Sequence, residues 1–253
     1  MKRWLQGFFV FVAALVSGYC TAQLDVPEFL LAPEIAFSTL DSPSVTNPSI
    51  ATILREPTQE PTVETFTDAS RVGRNRKNKV EVTCVFGERA SSAEIRFYSR
   101  AADGRWVEKQ SFTFEKDSLA GCDPEVKDFN NDGLRDFTYV SATAARGANE
   151  IRTLFLYDKK KDALVRIKDS ENYPNLAYNK KLNCLDAWLF HGATTTVFLR
   201  IVGDELEEIA SVDTGSELVV NLLGKYGRQE ISRKKMNLDD IYTRYSTYDP
   251  PRP

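Results

Sequence analysis

Histidine is nearly missing from this chain, with one, His191, among 253 residues. A histidine-dependent catalytic triad therefore has a single choice of base, and His191-Gly192-Ala193 lies beside no nucleophile motif. A lone histidine next to glycine reads as a loop residue. Cysteine is scarce as well. The four cysteines, at 20, 84, 122 and 184, have none of the spacings that zinc sites use. No hydrophobic stretch after the N-terminal one is long enough to cross a bilayer. Neither the glycine pattern of dinucleotide-binding folds nor a phosphate-binding loop is present. Basic residues number 33 against 36 acidic, a net charge of −3, which argues against nucleic acid as a partner. Catalysis by a carboxylate pair is then the main enzymatic option. The most concentrated carboxylates, however, have another use.

That use lies in Asp128-Phe129-Asn130-Asn131-Asp132-Gly133-Leu134-Arg135-Asp136. Side-chain oxygens fall at positions 1, 3, 5 and 9 of a loop, with glycine at position 6. A hard cation such as Ca²⁺ takes six to eight oxygen ligands, and a short loop supplies them by curling so that alternate side chains point inward. The predicted ligands are Asp128, Asn130, Asp132, Asp136 and the backbone carbonyl of Leu134. Oxygen donors of this kind suit calcium better than zinc. The competing reading is a polar Asx-turn between strands. An EF-hand is not expected, because its position 12 requires glutamate and here holds Tyr139, and because 137–140 is β-prone.

Residues 1–22 read as a signal peptide: Lys2 and Arg3, an apolar run from Trp4 to Val16, then small and polar residues before a cut after Ala22. A lipid anchor at Cys20 is the alternative, although Tyr19 is large where lipoprotein signals carry a small residue. Either route places the mature chain in the periplasm, where calcium is available and disulfides are permitted. Loss of Lys2 and Arg3 moves the net charge from −3 to −5. Cys84, Cys122 and Cys184 remain, enough for one bridge whose pairing the sequence leaves open.

Residues 23–70 are rich in Pro, Thr, Ser and Glu and predict a disordered linker. The basic cluster Arg71, Arg74, Arg76, Lys77 and Lys79 reads as a solvated hinge, with an anion-binding patch as the alternative. A β-domain is predicted over 71–238. Its strands are expected at 80–86, 94–98, 106–114, 137–141, 153–157, 163–167, 185–190, 195–202, 206–212 and 218–223, with turns at Asp103-Gly104, 158–162 and Gly203-Asp204. Short strands about ten residues apart argue for an all-β sandwich, barrel or propeller. Weak helical signal is confined to 237–244. The tail 239–253 carries Tyr242, Tyr245 and Tyr248, three apart, and reads as a strap packed on the core.

The succession VKDFNNDGLRDF, LFLYDKKKDALVRI and LFHGATTTVFLRIVGDELEEIASV within 126–212 resembles a family of exported bacterial proteins that combine a calcium loop with repeated strand-turn-strand units. The resemblance implies a small, irregular β-propeller-like fold. It also implies a role as a periplasmic immunity protein similar to lysozyme inhibitors, blocking a peptidoglycan hydrolase delivered by a type IV secretion system. The calcium ligands it implies are the five predicted above. Inhibitors of this kind insert small-residue loops into an enzyme cleft. The nearest equivalents are 141–149, with Arg146 and Asn149, and 191–196, with His191, Gly192, Thr194 and Thr195. The aromatic residue of the family's loop is not found within either. A binding protein, not an enzyme, is the expectation. The alternative is a calcium-stabilised structural or adhesive β-module, which a second calcium loop would favour, and only one is present.

Overall fold

Alternation of apolar and polar side chains along short segments forces this chain into pleated strands, and the strands then stack by their apolar faces. In the computed structural model the described residues are 60–88, 90–225 and 227–253. The predicted signal peptide, the Cys20 anchor and most of the linker lie outside them. The first sheet is an antiparallel meander of β1 (Thr62–Asp68), β2 (Asn78–Phe86), β3 (Ser91–Arg100) and β4 (Trp106–Lys116). A second meander contains β5 (Glu125–Lys127), β6 (Asp136–Ala144), β7 (Asn149–Asp158) and β8 (Ala163–Arg166). The third sheet runs in order through β9 (Ala177–Asn179), β10 (Cys184–Phe190), β11 (Thr194–Val202), β12 (Glu205–Asp213), β13 (Glu217–Gly224) and β14 (Gly227–Lys235). A hairpin of β15 (Thr247–Tyr248) and β16 (Pro251–Arg252) closes the chain.

The period of two in β7 explains how the sheets stack. Phe155 and Tyr157 pack with Val82, Ile95 and Phe97 of the first sheet. Leu154 and Leu156, on the opposite face, pack with Leu185, Val197 and Leu199 of the third. The second sheet is therefore buried on both sides. β11 repeats the device, since Phe198 turns away from Val197 and Leu199 to meet Val212, Val220 and Tyr245. The all-β expectation holds as several antiparallel sheets, and each of the three predicted turns joins consecutive strands.

Several boundaries are corrected. The linker expected to Ser70 ends earlier, because Thr62–Asp68 pairs with β2 along its whole length. Its alternation was hidden by polar side chains, and what orders it is the ladder and the carboxylate of Asp68, which accepts the backbone N–H groups of Ser70, Arg71 and Val72. β14 was also missed. Almost all of it is exposed, and its Arg228, Arg233, Lys234 and Lys235 place charge on a sheet edge, where it deters strand addition. The tail 239–253 is docked: Tyr245 is buried, and the Arg244 guanidinium pairs with Asp186 on β10. The helical signal near 237–244 amounts to one 3-10 turn, Leu238–Asp240, capped by Asn237.

Two cross-links hold the first sheet to the second. Cys84 on β2 is bridged to Cys122, just before β5. Asp162, in the β7–β8 turn, accepts hydrogen bonds from Asn78, Ser99 and Tyr157 and pairs with Arg74 at 2.7 Å. Cys184 is left as a half-buried free thiol, pushed up to about 11 by burial and the neighbouring Asp186 charge.

Closing a 38-residue separation lowers denatured-chain entropy by an amount equivalent to about 4 kcal/mol. Chemical denaturation of the Cys84→Ser/Cys122→Ser variant should therefore show a loss near that size, whereas Cys184→Ser should change stability little. A second expectation concerns acid. Burial opposes ionisation of Asp162, but the hydrogen bonds from Ser99, Tyr157 and Asn78 and the Arg74 charge outweigh it and hold the carboxyl at about 2. A depressed carboxylate pKa contributes stability that is complete above its ordinary value and lost as pH falls through the folded one. The wild type should lose roughly 1–2 kcal/mol between pH ~4 and ~2 through this group. Asp162→Asn should be less stable at neutral pH and lack that component of the acid slope.

Candidate metal loop and paired hairpin rim

The β5–β6 connection folds around its own side chains. The Asn130 side-chain oxygen accepts the Asp132 N–H at 3.1 Å, Asp132 Oδ1 accepts the Leu134 N–H at 2.8 Å, and Asp128 Oδ2 accepts the Gly133 N–H at 3.0 Å. Asn131 and Gly133 turn the chain with φ of 58° and 82°, and glycine takes the second such position without steric cost. Asp136, at the start of β6, is fully buried. Its carboxylate accepts the N–H of Phe129 at 2.8 Å and of Tyr157 at 2.9 Å. Burial pushes this carboxyl up to about 7 despite those two bonds, and the Asp132 and Asp128 charges push the same way.

The five predicted ligands thus share one loop. Among the described residues, no group of three or more Asp, Glu, His or Cys side chains stands in ready-made metal-holding geometry. The donor set nevertheless fits a hard cation. One carboxylate oxygen, Asp128 Oδ1, is buried without any hydrogen-bond partner, and an orphaned carboxylate oxygen is costly unless a cation or donor meets it. The hydrogen bonds that shape the loop leave lone pairs on oxygens able to accept more than one partner.

At the far end of the same sheet, the β6–β7 turn meets the β10–β11 turn. Asn149 supplies the link: its side-chain amide donates to the Phe190 carbonyl at 3.0 Å and accepts the Phe190 N–H at 2.8 Å. Asn175 adds a second clasp, donating to the carbonyls of Ala148 and Trp188 at 2.9 and 2.7 Å while accepting the Glu150 N–H. The rim exposes Ala145, Arg146 and Gly147, all in the left-handed region, together with His191 and Gly192. A side chain added at Gly192 would meet nothing within 4 Å. Trp188 and Phe190, two apart on β10, lie with ring centroids 4.3 Å apart, and Tyr242 of the C-terminal strap stacks on Phe190 at 6.2 Å.

The predicted loop residues divide by burial. Arg146, His191 and Gly192 face solvent, whereas Asn149, Thr194 and Thr195 are buried and hold the rim together. The Thr194 hydroxyl is bound to the strap carbonyl of Ile241 and to Thr214. Thr195 donates its hydroxyl to Asp213 at 2.8 Å and lies 2.9 Å from His191 Nε2. With that hydroxyl proton committed to Asp213, His191 Nε2–H donates to Thr195, the reverse of a base poised on a nucleophile. Sequence reasoning missed the aromatic cluster, because the rings come from β10 and the distant strap. It also missed Asn175, whose available signal was the turn-prone pair Pro174-Asn175.

Asn149→Ala would strand the Phe190 N–H and C=O, at an expected cost of about 1–3 kcal/mol. Hydrogen exchange should report it as faster exchange at Phe190, with protection in β2 and β3 unchanged.

Comparison with known proteins adds little. No family model matches the chain. No curated protein matches it either. Among solved structures it is similar to one described as the structure of a Xanthomonas type IV secretion system related protein. That likeness has 13% identity, covers 69% of this chain and 100% of the other, and has a TM-score of 0.43. At that score it carries no argument.

Proposed function

We propose that this chain is an exported, calcium-stabilised binding protein that inhibits a peptidoglycan-cleaving, lysozyme-like enzyme, in the manner of an immunity protein. The observation that carries this reading is the reciprocal hydrogen bonding between Asn149 and Phe190. It joins two exposed turns into one rigid rim, and rigidity lowers the ordering cost of binding. Arg146 stands on that rim without an ion-pair partner among the described residues. A guanidinium in this position suits the paired carboxylates of a glycosidase cleft. Phe190 and Tyr242 beside it supply the aromatic surface that protein interfaces favour.

The rest of the proposal is consistent with the same chemistry. Asp128, Asn130, Asp132, Asp136 and the Leu134 carbonyl would hold Ca²⁺, with Asp128 Oδ1 as the oxygen most in need of a cation. Calcium there would neutralise carboxylate repulsion and take no part in a reaction. Three successive meanders packed face to face would be blades of a small, irregular propeller. The Cys84–Cys122 bridge suits an oxidising compartment such as the periplasm, reached through the signal peptide or with an anchor at Cys20. The resemblance of 126–212 to exported immunity proteins points the same way.

Cell-wall hydrolysis by a panel of lysozyme-type enzymes tests this. Near-stoichiometric addition of the protein should suppress at least one of them. Arg146→Ala should weaken that suppression by roughly tenfold or more if the side chain pairs with a desolvated carboxylate, with the melting temperature unchanged. A panel that binds nothing would contradict the proposal, as would wall hydrolysis by the protein alone.

A further inference from the structure

The basic cluster that opens the folded region does not behave as a plain hinge. Gly73 and Arg135 exchange backbone hydrogen bonds, of 2.7 Å from Gly73 N–H and 3.5 Å from Arg135 N–H, so the segment 70–77 is held against the end of the metal loop. Between them and the β7–β8 turn lies a cleft of about 730 Å³. Arg71, Arg74, Lys77, Arg135 and Lys159 line it, and no Asp or Glu does. Two of these cations are already matched, Arg71 by Asp68 and Arg74 by Asp162. Lys77, Arg135 and Lys159 are exposed and have no ion-pair partner among the described residues. The Nε of Arg74 is buried with no hydrogen-bond acceptor. This unpaired positive charge, gathered in one concavity, runs against the chain's net charge of −3. A concave wall of one sign focuses the field and raises the local concentration of oppositely charged ligand.

We propose that this cleft binds a phosphate-bearing ligand. A carboxylate is satisfied by one guanidinium fork, whereas a phosphate ester offers several acceptor oxygens in different directions and up to two negative charges. Here the free cations come from three separate places: the 70–77 segment, the end of the metal loop and the β7–β8 turn. That distribution matches an anion contacted from several sides. The same chemistry is presented by a soluble phosphate ester and by a phospholipid headgroup. The site requires neither the inhibitory rim nor a bound metal ion.

The full chain, kept in millimolar calcium, would be titrated calorimetrically with glycerol phosphate and sedimented with vesicles of phosphatidylglycerol or of phosphatidylcholine. The expected result is saturable binding of glycerol phosphate, of phosphatidylglycerol vesicles or of both, weakening as salt is raised. Each of Arg135→Gln, Lys77→Gln and Lys159→Gln should weaken it about tenfold, equivalent to about 1.4 kcal/mol. The melting temperature should not change, because all three side chains are exposed. Lys234→Gln/Lys235→Gln, on the exposed edge of the third sheet, should bind as the wild type does. Binding of phosphatidylglycerol vesicles alone would assign the ligand to a lipid surface, and binding of glycerol phosphate would assign it to a soluble ester. No saturable binding of either probe would overturn the proposal. Equal weakening by the Lys234/Lys235 control would overturn it too, by showing attraction to charge in general.

Discussion

A single buried carboxylate ties the β5–β6 loop to the layered sheets. Asp136 has no exposure, yet it holds the N–H of Phe129 in the loop and that of Tyr157 on β7. Phe129 belongs to the apolar cluster between the second and third sheets, and Tyr157 to the one between the first and second. The geometry of both apolar interfaces thus passes through one side chain. A negative charge taken out of water costs several kcal/mol and persists where hydrogen bonds and a cation compensate it. The two N–H groups supply part of that compensation, and the proposed calcium would supply the rest.

The middle sheet also separates the candidate sites. β6 begins at Asp136 in the loop and ends at Ala144 beside the rim, about 26 Å away at the usual rise per strand residue. An ion in the loop would therefore act on the rim only through the stiffness of β6 and β7, which pair nearly throughout. The basic cleft lies at the loop end and the aromatic surface at the rim end. The proposed phosphate ligand and the proposed enzyme partner would therefore meet different ends of the sheet.

Much of this was legible in the chain, for physical reasons that differ by region. Strands such as β3 and β11 announce themselves because burial on one or both faces demands apolar side chains at fixed period. The loop was readable as a connection between strands because Asn, Asp and Gly cluster in turns, and its use as a cation site stays with the proposal. β1 and β14 were not, since edge strands are ordered by ladder hydrogen bonds that leave little mark on side-chain polarity. The pairing of Cys84 with Cys122, the Asp162 cluster and the meeting of Asn149 with Phe190 all join residues far apart in sequence. A single sequence carries no record of such contacts. The basic segment 71–79 was visible as charge, but its conversion from hinge to cleft depends on the Gly73–Arg135 backbone bridge.

The most direct test of this account is whether the loop takes calcium. Calorimetric titration of chelator-treated protein with Ca²⁺ should give one ion per chain, with a rise in melting temperature that follows occupancy. Asp128→Asn, which changes the orphaned carboxylate into an amide, should sharply weaken both effects. Absence of binding heat, together with a melting temperature indifferent to calcium and chelator, would contradict the account and leave the loop as a polar turn.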